Sequence, residues 1–130
     1  MRNLLIDTNI YVAFKRGSSE VQKVFQHTDH IGIDSCVLAE LYSGFRLGNR
    51  NKKNVEELED FLRTPRVSIY NHTLKTAEFY AHVYERLRRQ GTPIPSNDIW
   101  IAAVAMEQGL ALYSYDRHFD HVDGMVRYAV

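Results

Sequence analysis

Four acidic residues in this chain stand where apolar segments begin or end. Asp7 closes the run Leu4-Leu5-Ile6. Glu40 sits within Ser35-Cys36-Val37-Leu38-Ala39-Glu40-Leu41. Asp98 precedes Ile99-Trp100-Ile101-Ala102-Ala103, and Asp116 follows Leu110 to Tyr115. Burying a carboxylate beside hydrophobic chain is costly unless a partner compensates. One such residue is readily explained as a helix cap. Four spread along the chain point to one shared partner, and a hard divalent cation with oxygen ligands fits best. Carboxylates a few ångström apart repel strongly in a protein interior, so the group needs a cation or protons. Mg²⁺ or Mn²⁺ bound there would lower the pKa of a water and offset charge on a phosphate oxygen. The reaction class this implies is metal-assisted phosphodiester hydrolysis, with no serine or histidine nucleophile required.

The elements that must carry these acids can be read from the hydrophobic pattern. Leu4 to Ile6 reads as a short buried strand. It lacks polar alternation, as a parallel strand covered on both faces does. Thr8 or Asn9 is suited to cap a helix through Phe14. Lys15 to Ser19 is a break, and Val21, Val24 and Phe25 then fall at helical spacing. Ile31 to Ile33 is a second strand, and Ser35 an N-cap for a helix ending near Gly44. A polar stretch runs from Arg46 to Asn54. Val55, Leu58 and Leu62 mark a further helix, halted before Pro65. Val67 to Ile69 is a third strand. Thr73 opens a helix whose predicted apolar stripe is Ala77, Tyr80, Ala81, Tyr84 and Leu87. After a stiff loop, Asn97 or Asp98 begins a helix that is apolar nearly all round and ends at Gly109. Leu110 to Tyr113 is a fourth strand, and Val126 to Ala129 a fifth at an edge.

Alternating strands and helices predict an α/β fold with a parallel sheet covered on both faces. In such sheets the ligand crevice lies beyond the carboxyl ends of the strands. Asp7 and Asp116 follow strands directly. Glu40 and Asp98 lie in the early turns of helices approaching the same end. The topology therefore gathers all four acids.

The chain has 130 residues, 45% hydrophobic and 25% charged, as expected of one compact globular domain. Sixteen basic residues balance sixteen acidic ones, so net charge names no partner. One cysteine, Cys36, excludes an internal disulfide and fits a reducing cytoplasm. The apolar run stopped at Asp7 is too short for a signal peptide or a membrane span.

Four blocks carry a resemblance. They are Leu5-Ile6-Asp7-Thr8-Asn9-Ile10; Ser35, Glu40, Leu41 and Gly44; Pro95-Ser96-Asn97-Asp98 through Ala103; and Leu112-Tyr113-Ser114-Tyr115-Asp116-Arg117-His118-Phe119. In this order, over essentially the whole chain, the sequence resembles the PIN domain, and within it VapC-type toxins of toxin–antitoxin pairs. The resemblance implies a single domain over residues 1–130, a three-layer α/β/α sandwich with a central, mostly parallel sheet. It implies a Mg²⁺- or Mn²⁺-dependent endoribonuclease, leaving a 5′-phosphate and a 3′-hydroxyl. It places Asp7, Glu40, Asp98 and Asp116 around the metal, with Asn9 and the Ser114 hydroxyl holding the acids. The family more often has Thr at the position of Ser114, and its fourth acid, here Asp116, is the most variable. It further implies a homodimer and a cognate antitoxin protein that fills the cleft.

Simpler readings exist for each feature. Asp7-Thr8-Asn9 alone is a strand-to-helix turn with caps. Glu40 alone is a solvated helix residue, and Asp98 a first-turn acid favoured by the helix dipole. His118, Asp120, His121 and Asp123 hint at zinc, but their spacing fits no standard zinc pattern. Phe119 and Val122 mark that segment as a loop pinned to the core. Cys36 reads as a small buried residue. Tyr80, Tyr84 and Trp100 read as core or dimer packing. Arg46, Arg50, Lys52 and Lys53 are either a solvated loop or a surface that steers RNA phosphates; Arg86, Arg88 and Arg89 extend it or form an exposed helix face. Two other functions compete with the ribonuclease. One is a catalytically silent PIN-fold binding module. The other is a phosphoaspartyl phosphatase or receiver, against which stand Asn9 in place of a second Asp and no lysine after Tyr113.

Overall fold

A computed structural model describes residues 2–128. Four strands, β1 (Asn3–Ile6), β2 (His30–Asp34), β3 (Val67–Tyr70) and β4 (Ala111–Tyr113), form one sheet in the order β3-β2-β1-β4, with every pairing parallel. Leu4 pairs with Ile31 on one side and Ala111 on the other, and Ile6 with Ile33 and Tyr113. β1 and β2 are central, which is why their inner residues are unbroken apolar runs.

Each parallel crossover contains two helices. α1 (Thr8–Lys15) and α2 (Ser19–Gln26) join β1 to β2. α3 (Ser35–Leu47) and α4 (Asn51–Leu62) join β2 to β3. α5 (Leu74–Gln90) and α6 (Ser96–Gln108) join β3 to β4. The first two crossovers step one way across the sheet and the third steps back past β1. With right-handed crossovers, the helices of the third fall on the opposite face from the others, giving a three-layer α/β/α sandwich. The reversal opens a crevice between the carboxyl ends of β1 and β4, where such sheets hold their ligands.

The core is centred on the sheet. Leu5, Ile6, Ile31, Ile33 and Leu112 are wholly enclosed, and each such side chain contributes about 1.5–3 kcal/mol of burial. α6 is the most enclosed helix: Ile99 and Ile101 to Ala105 are all buried. It ends at Gly109, whose φ of +66° is a left-handed cap that a residue with a Cβ adopts only with strain.

Several local expectations are corrected. The cap of α1 is Asp7, not Thr8 or Asn9, and its side chain accepts from the Thr8 N–H. Asp34 precedes α3, and Ser35 is the first helical residue. The polar stretch after residue 46 is mostly helix, because α3 runs on to Leu47 and α4 begins at Asn51. Exposed charged side chains are good helix formers once a neighbouring helix shields one face. On α5 the buried residues are Thr76, Val83 and Leu87; of the expected stripe Leu87 is buried, Ala77 and Tyr80 are half-buried, and Ala81 and Tyr84 are exposed. Thr76 is tolerated there because its hydroxyl donates to Glu107 over 2.6 Å. The expected fifth strand is reduced to one parallel bridge, Arg127 to Leu112, and Ala129 lies outside the described residues. Among the described residues, no helix is long and apolar enough to cross a membrane.

Candidate active site

β1 ends on Asp7, which turns the chain into α1. Its N–H donates to the Tyr113 carbonyl at 3.0 Å, and its carbonyl receives the N–H of Ile10. The side chain is fixed at both oxygens. Oδ1 accepts from the Thr8 N–H at 2.8 Å and Oδ2 from the Ser114 hydroxyl at 2.6 Å. Both Asp7 and Ser114 are buried.

Ser114, the first residue after β4, joins three partners. Besides donating to Asp7, its oxygen accepts from the Asp116 N–H at 3.0 Å and from the Asn9 side-chain amide at 3.5 Å. One donor and two lone pairs are thus all used. Asn9 also accepts from the Tyr115 N–H at 3.2 Å, which ties α1 to the chain leaving β4.

Glu40 comes from α3 and accepts from the Thr8 hydroxyl at 2.8 Å. Asp98 lies in the first turn of α6. Asp116 caps the 3₁₀ turn Arg117–His121 by accepting from the His118 N–H at 2.9 Å. The His118 ring folds back, so that Nδ1 lies 2.8 Å from Asp98 and 3.2 Å from Asp116. All four acids line one cleft of about 700 Å³, together with Thr8 and Arg16.

The electrostatics are those of crowded acids. Burial raises the pKa of Asp7; the Ser114 and Thr8 hydrogen bonds oppose it, and the Asp116 charge adds to it. Burial also raises Glu40, opposed by Thr8 and reinforced by Asp7 and Asp98. Asp98 is raised by burial, opposed by the His118 hydrogen bond and reinforced by Asp116 and Asp7. His118 is pulled upward mainly by its hydrogen bond to Asp98. Several acids perturbed in the same direction within one cleft mark a candidate reactive site.

The structure thus brings together Asp7, Glu40, Asp98, Asp116, Asn9 and Ser114. Among the basic residues, Arg50 and Lys53 line a recess of about 390 Å³ with Lys15 and Arg16, and Arg16 also lines the acidic cleft. Arg46 and Lys52 are exposed outside this recess. Arg86 and Arg89 are engaged by Asp123 and Glu85, and Arg88 lies over the Tyr84 ring. The hinted zinc group does not assemble: His118 joins Asp98 and Asp116, Asp120 pairs with Arg127, and Asp123 bonds Arg86 and Gln90. Sequence reasoning missed Thr8 and His118 as partners of the acids. Thr8 carried a signal, since a hydroxyl beside Asp7 starts the helix facing Glu40. His118 carried none beyond its proximity to Asp116.

Residues 4–125 match the PIN domain family. "Ribonuclease VapC2" of Haemophilus influenzae is 34% identical over 125 residues, covering 94% of this chain and 93% of that protein. The "tRNA(fMet)-specific endonuclease VapC" of Salmonella typhimurium is 25% identical, with 96% of each covered. The solved structure of VapBC2 from Rickettsia felis, bound to a DNA fragment from their promoter, superposes with a TM-score of 0.86 at 25% identity, covering 96% of both chains. The doubly wound parallel sheet, with its carboxylate-lined cleft at the switch point, fits a PIN-type fold. The chain belongs to the PIN domain family, in its VapC ribonuclease branch.

Proposed function

We propose that this chain is the toxin of a toxin–antitoxin pair, an endoribonuclease that hydrolyses RNA phosphodiester bonds with Mg²⁺ or Mn²⁺ held by Asp7, Glu40, Asp98 and Asp116. The observation that carries this reading is the convergence of these four acids on one cleft, where burial first, and then the charge of another member, raises Asp7, Glu40 and Asp98. The donor set is all oxygen, which suits a hard cation rather than a thiophilic one. Such an ion supplies an activated water and offsets charge on the phosphate.

The chain's own residues do the positioning. Ser114 and the Thr8 N–H hold the Asp7 carboxylate in one orientation. The Thr8 hydroxyl steadies Glu40. His118 bridges Asp98 and Asp116 from the solvent side. Lys15, Arg16, Arg50 and Lys53 attract the RNA backbone towards the cleft without choosing sequence. Tyr115, exposed at the cleft, offers a ring to an unstacked base.

The antitoxin and the homodimer belong to the same proposal. The Rickettsia felis likeness is to a VapBC assembly, and the partly exposed Tyr80–Tyr84 pair on α5 is suited to packing against a second copy. A cellular RNA substrate supports a cytoplasmic location. Purified, antitoxin-free protein should cut RNA with Mg²⁺ or Mn²⁺, leave 5′-phosphate ends, and stop on addition of EDTA. Cleavage that persists in EDTA, or none on total RNA with either ion, sinks the reading.

A further inference from the structure

A second group of metal-competent side chains stands one strand away from the acidic cleft, and it contains the chain's one cysteine. Asp34 ends β2, Cys36 lies in the first turn of α3, and His72 sits between β3 and α5. One ligand atom of each falls within 4.8 Å of the other two. His72 Nε2 faces both partners, 2.7 Å from Asp34 Oδ1 and 3.8 Å from Cys36 Sγ. From these residues we propose a second metal site, in which the Asp34 carboxylate, the Cys36 thiolate and the His72 imidazole hold a thiophilic divalent cation, zinc by the chemistry of the donors. It rests on none of the cleft residues.

Three observations carry it. Asp34 is wholly buried, and its Oδ2 has no hydrogen-bond partner. A buried carboxylate oxygen left unpaired is costly, and such an orphan calls for a missing partner. The hydrogen bond to His72 uses only Oδ1, so Oδ2 is left for a cation that the carboxylate would grip with both oxygens. Second, the spacing is close to that of bound ligands. Tetrahedral zinc places its N and S ligands about 3.5 Å apart and its N and O ligands about 3.3 Å apart. The N–S separation therefore closes by about 0.3 Å, and the N–O separation opens by about 0.6 Å, within the reach of side-chain rotation. Third, the histidine is held. Its ring stacks on Trp100 of α6 with centroids 4.2 Å apart and planes 8° from parallel, which keeps Nε2 directed at the other two.

The donors also differ from those of the cleft. Nitrogen, sulfur and one carboxylate select zinc over magnesium. His72 remains 21% exposed, which gives an ion a route from solvent. Without a cation the thiol is inert: burial, followed by the charges of Asp34 and Glu40, pushes Cys36 up to about 12. A bound cation reverses that balance and displaces the thiol proton to solvent.

The test is titration of the metal-free full-length chain with Co²⁺ and Zn²⁺. Wild type should show thiolate-to-cobalt charge-transfer absorption and one tight zinc by chelator competition. Cys36→Ser, a near-isosteric change, should abolish that absorption and weaken zinc by about 10–100-fold or more. His72→Gln should weaken it similarly. Asp7→Asn should keep the absorption, which separates this site from the cleft. No thiolate band in wild type overturns the proposal. So does zinc affinity unchanged in both Cys36→Ser and His72→Gln, because the ion then resides elsewhere.

Discussion

The Ser114 hydroxyl donates to Asp7 Oδ2 over 2.6 Å, across 107 positions of sequence, with both residues buried. This bond joins the ends of β1 and β4 where the sheet reverses, and it fixes the acid that the rest of the cleft surrounds. Ser114→Ala leaves an unpaired buried oxygen on Asp7 and an unpaired N–H on Asp116. Chemical denaturation should show a loss of about 1–3 kcal/mol. Cleavage should fall about 10–100-fold, as when the support of a metal-binding residue is removed. Ser114→Thr keeps the hydroxyl and should restore both. Equal losses in the two variants would assign the effect to packing alone.

Asp7→Asn separates chemistry from folding. Asparagine retains an oxygen for the Thr8 N–H, so the turn survives, but its amide cannot accept the Ser114 hydroxyl and that hydrogen bond is lost. Activity should drop by about 10²–10³-fold or more. Without metal at neutral pH, the lost Ser114 hydrogen bond and the relief of a charge held against burial oppose each other, so the variant should melt within a few degrees of wild type. Wild-type cleavage rates in the purified variant would remove Asp7 from the site.

Stability should depend on pH with a definite sign. Asp7, Glu40 and Asp98 have folded values above their ordinary ones, near 4 in an unfolded chain. Between the ordinary and the raised values the folded state binds more protons. Stability of the metal-free protein therefore falls as pH rises through that window. His118, raised by Asp98, acts in the same sense: its stabilisation is full below its unfolded value and is lost as pH passes the folded one. Mg²⁺ favours the ionised acids, so its gain in melting temperature should be larger at pH 8 than at pH 5. A gain that is equal or larger at pH 5 contradicts the assignment.

His118 competes with a cation for Asp98 and Asp116. Its protonated form is the stronger competitor. Calorimetry of Mg²⁺ binding should show His118→Ala tightening affinity about two- to fivefold near pH 6 and less at pH 8. Weaker binding at pH 6 would make the imidazole an aid rather than a competitor.

Arg50 and Lys53 sit in the recess adjoining the cleft. If both meet phosphates, the double alanine variant should raise KM, leave kcat unchanged, and reduce the salt dependence of RNA binding by a slope of about 1.4. Arg46→Ala and Lys52→Ala, outside the recess, are the controls. An equal effect from the control pair would move the RNA path.

Much of the fold was legible in sequence because buried parallel strands advertise themselves. Leu4-Leu5-Ile6 and Leu110 to Tyr113 are apolar without alternation, and Gly109 marks the stop of α6. Helix faces were harder to read. On α5, Ala77, Ala81 and Tyr84 look apolar as letters, yet the face turned inward carries Thr76, Val83 and Leu87. Which stripe is buried depends on the position of α6, and a threonine is acceptable inside only because Glu107 reaches its hydroxyl. The N-caps of α1 and α3 were misread for a related reason, while Thr73 and Gly109 cap as expected. Asp7 can cap α1 while serving the cleft, whereas letter patterns assign one role to each residue.

The sequence by itself determined the residue types: four acids at the ends of apolar runs, a hydroxyl at position 114, and the strand–helix alternation that sends them all to one edge of a sheet. These are local properties, written in hydrophobic period and side-chain chemistry. Only the tertiary structure decided which acids feel one another, that His118 bridges two of them, and that Asp34, Cys36 and His72 meet behind Trp100. Those contacts join elements separated along the chain. They follow from the strand order β3-β2-β1-β4, and from packing that no stretch of sequence contains alone.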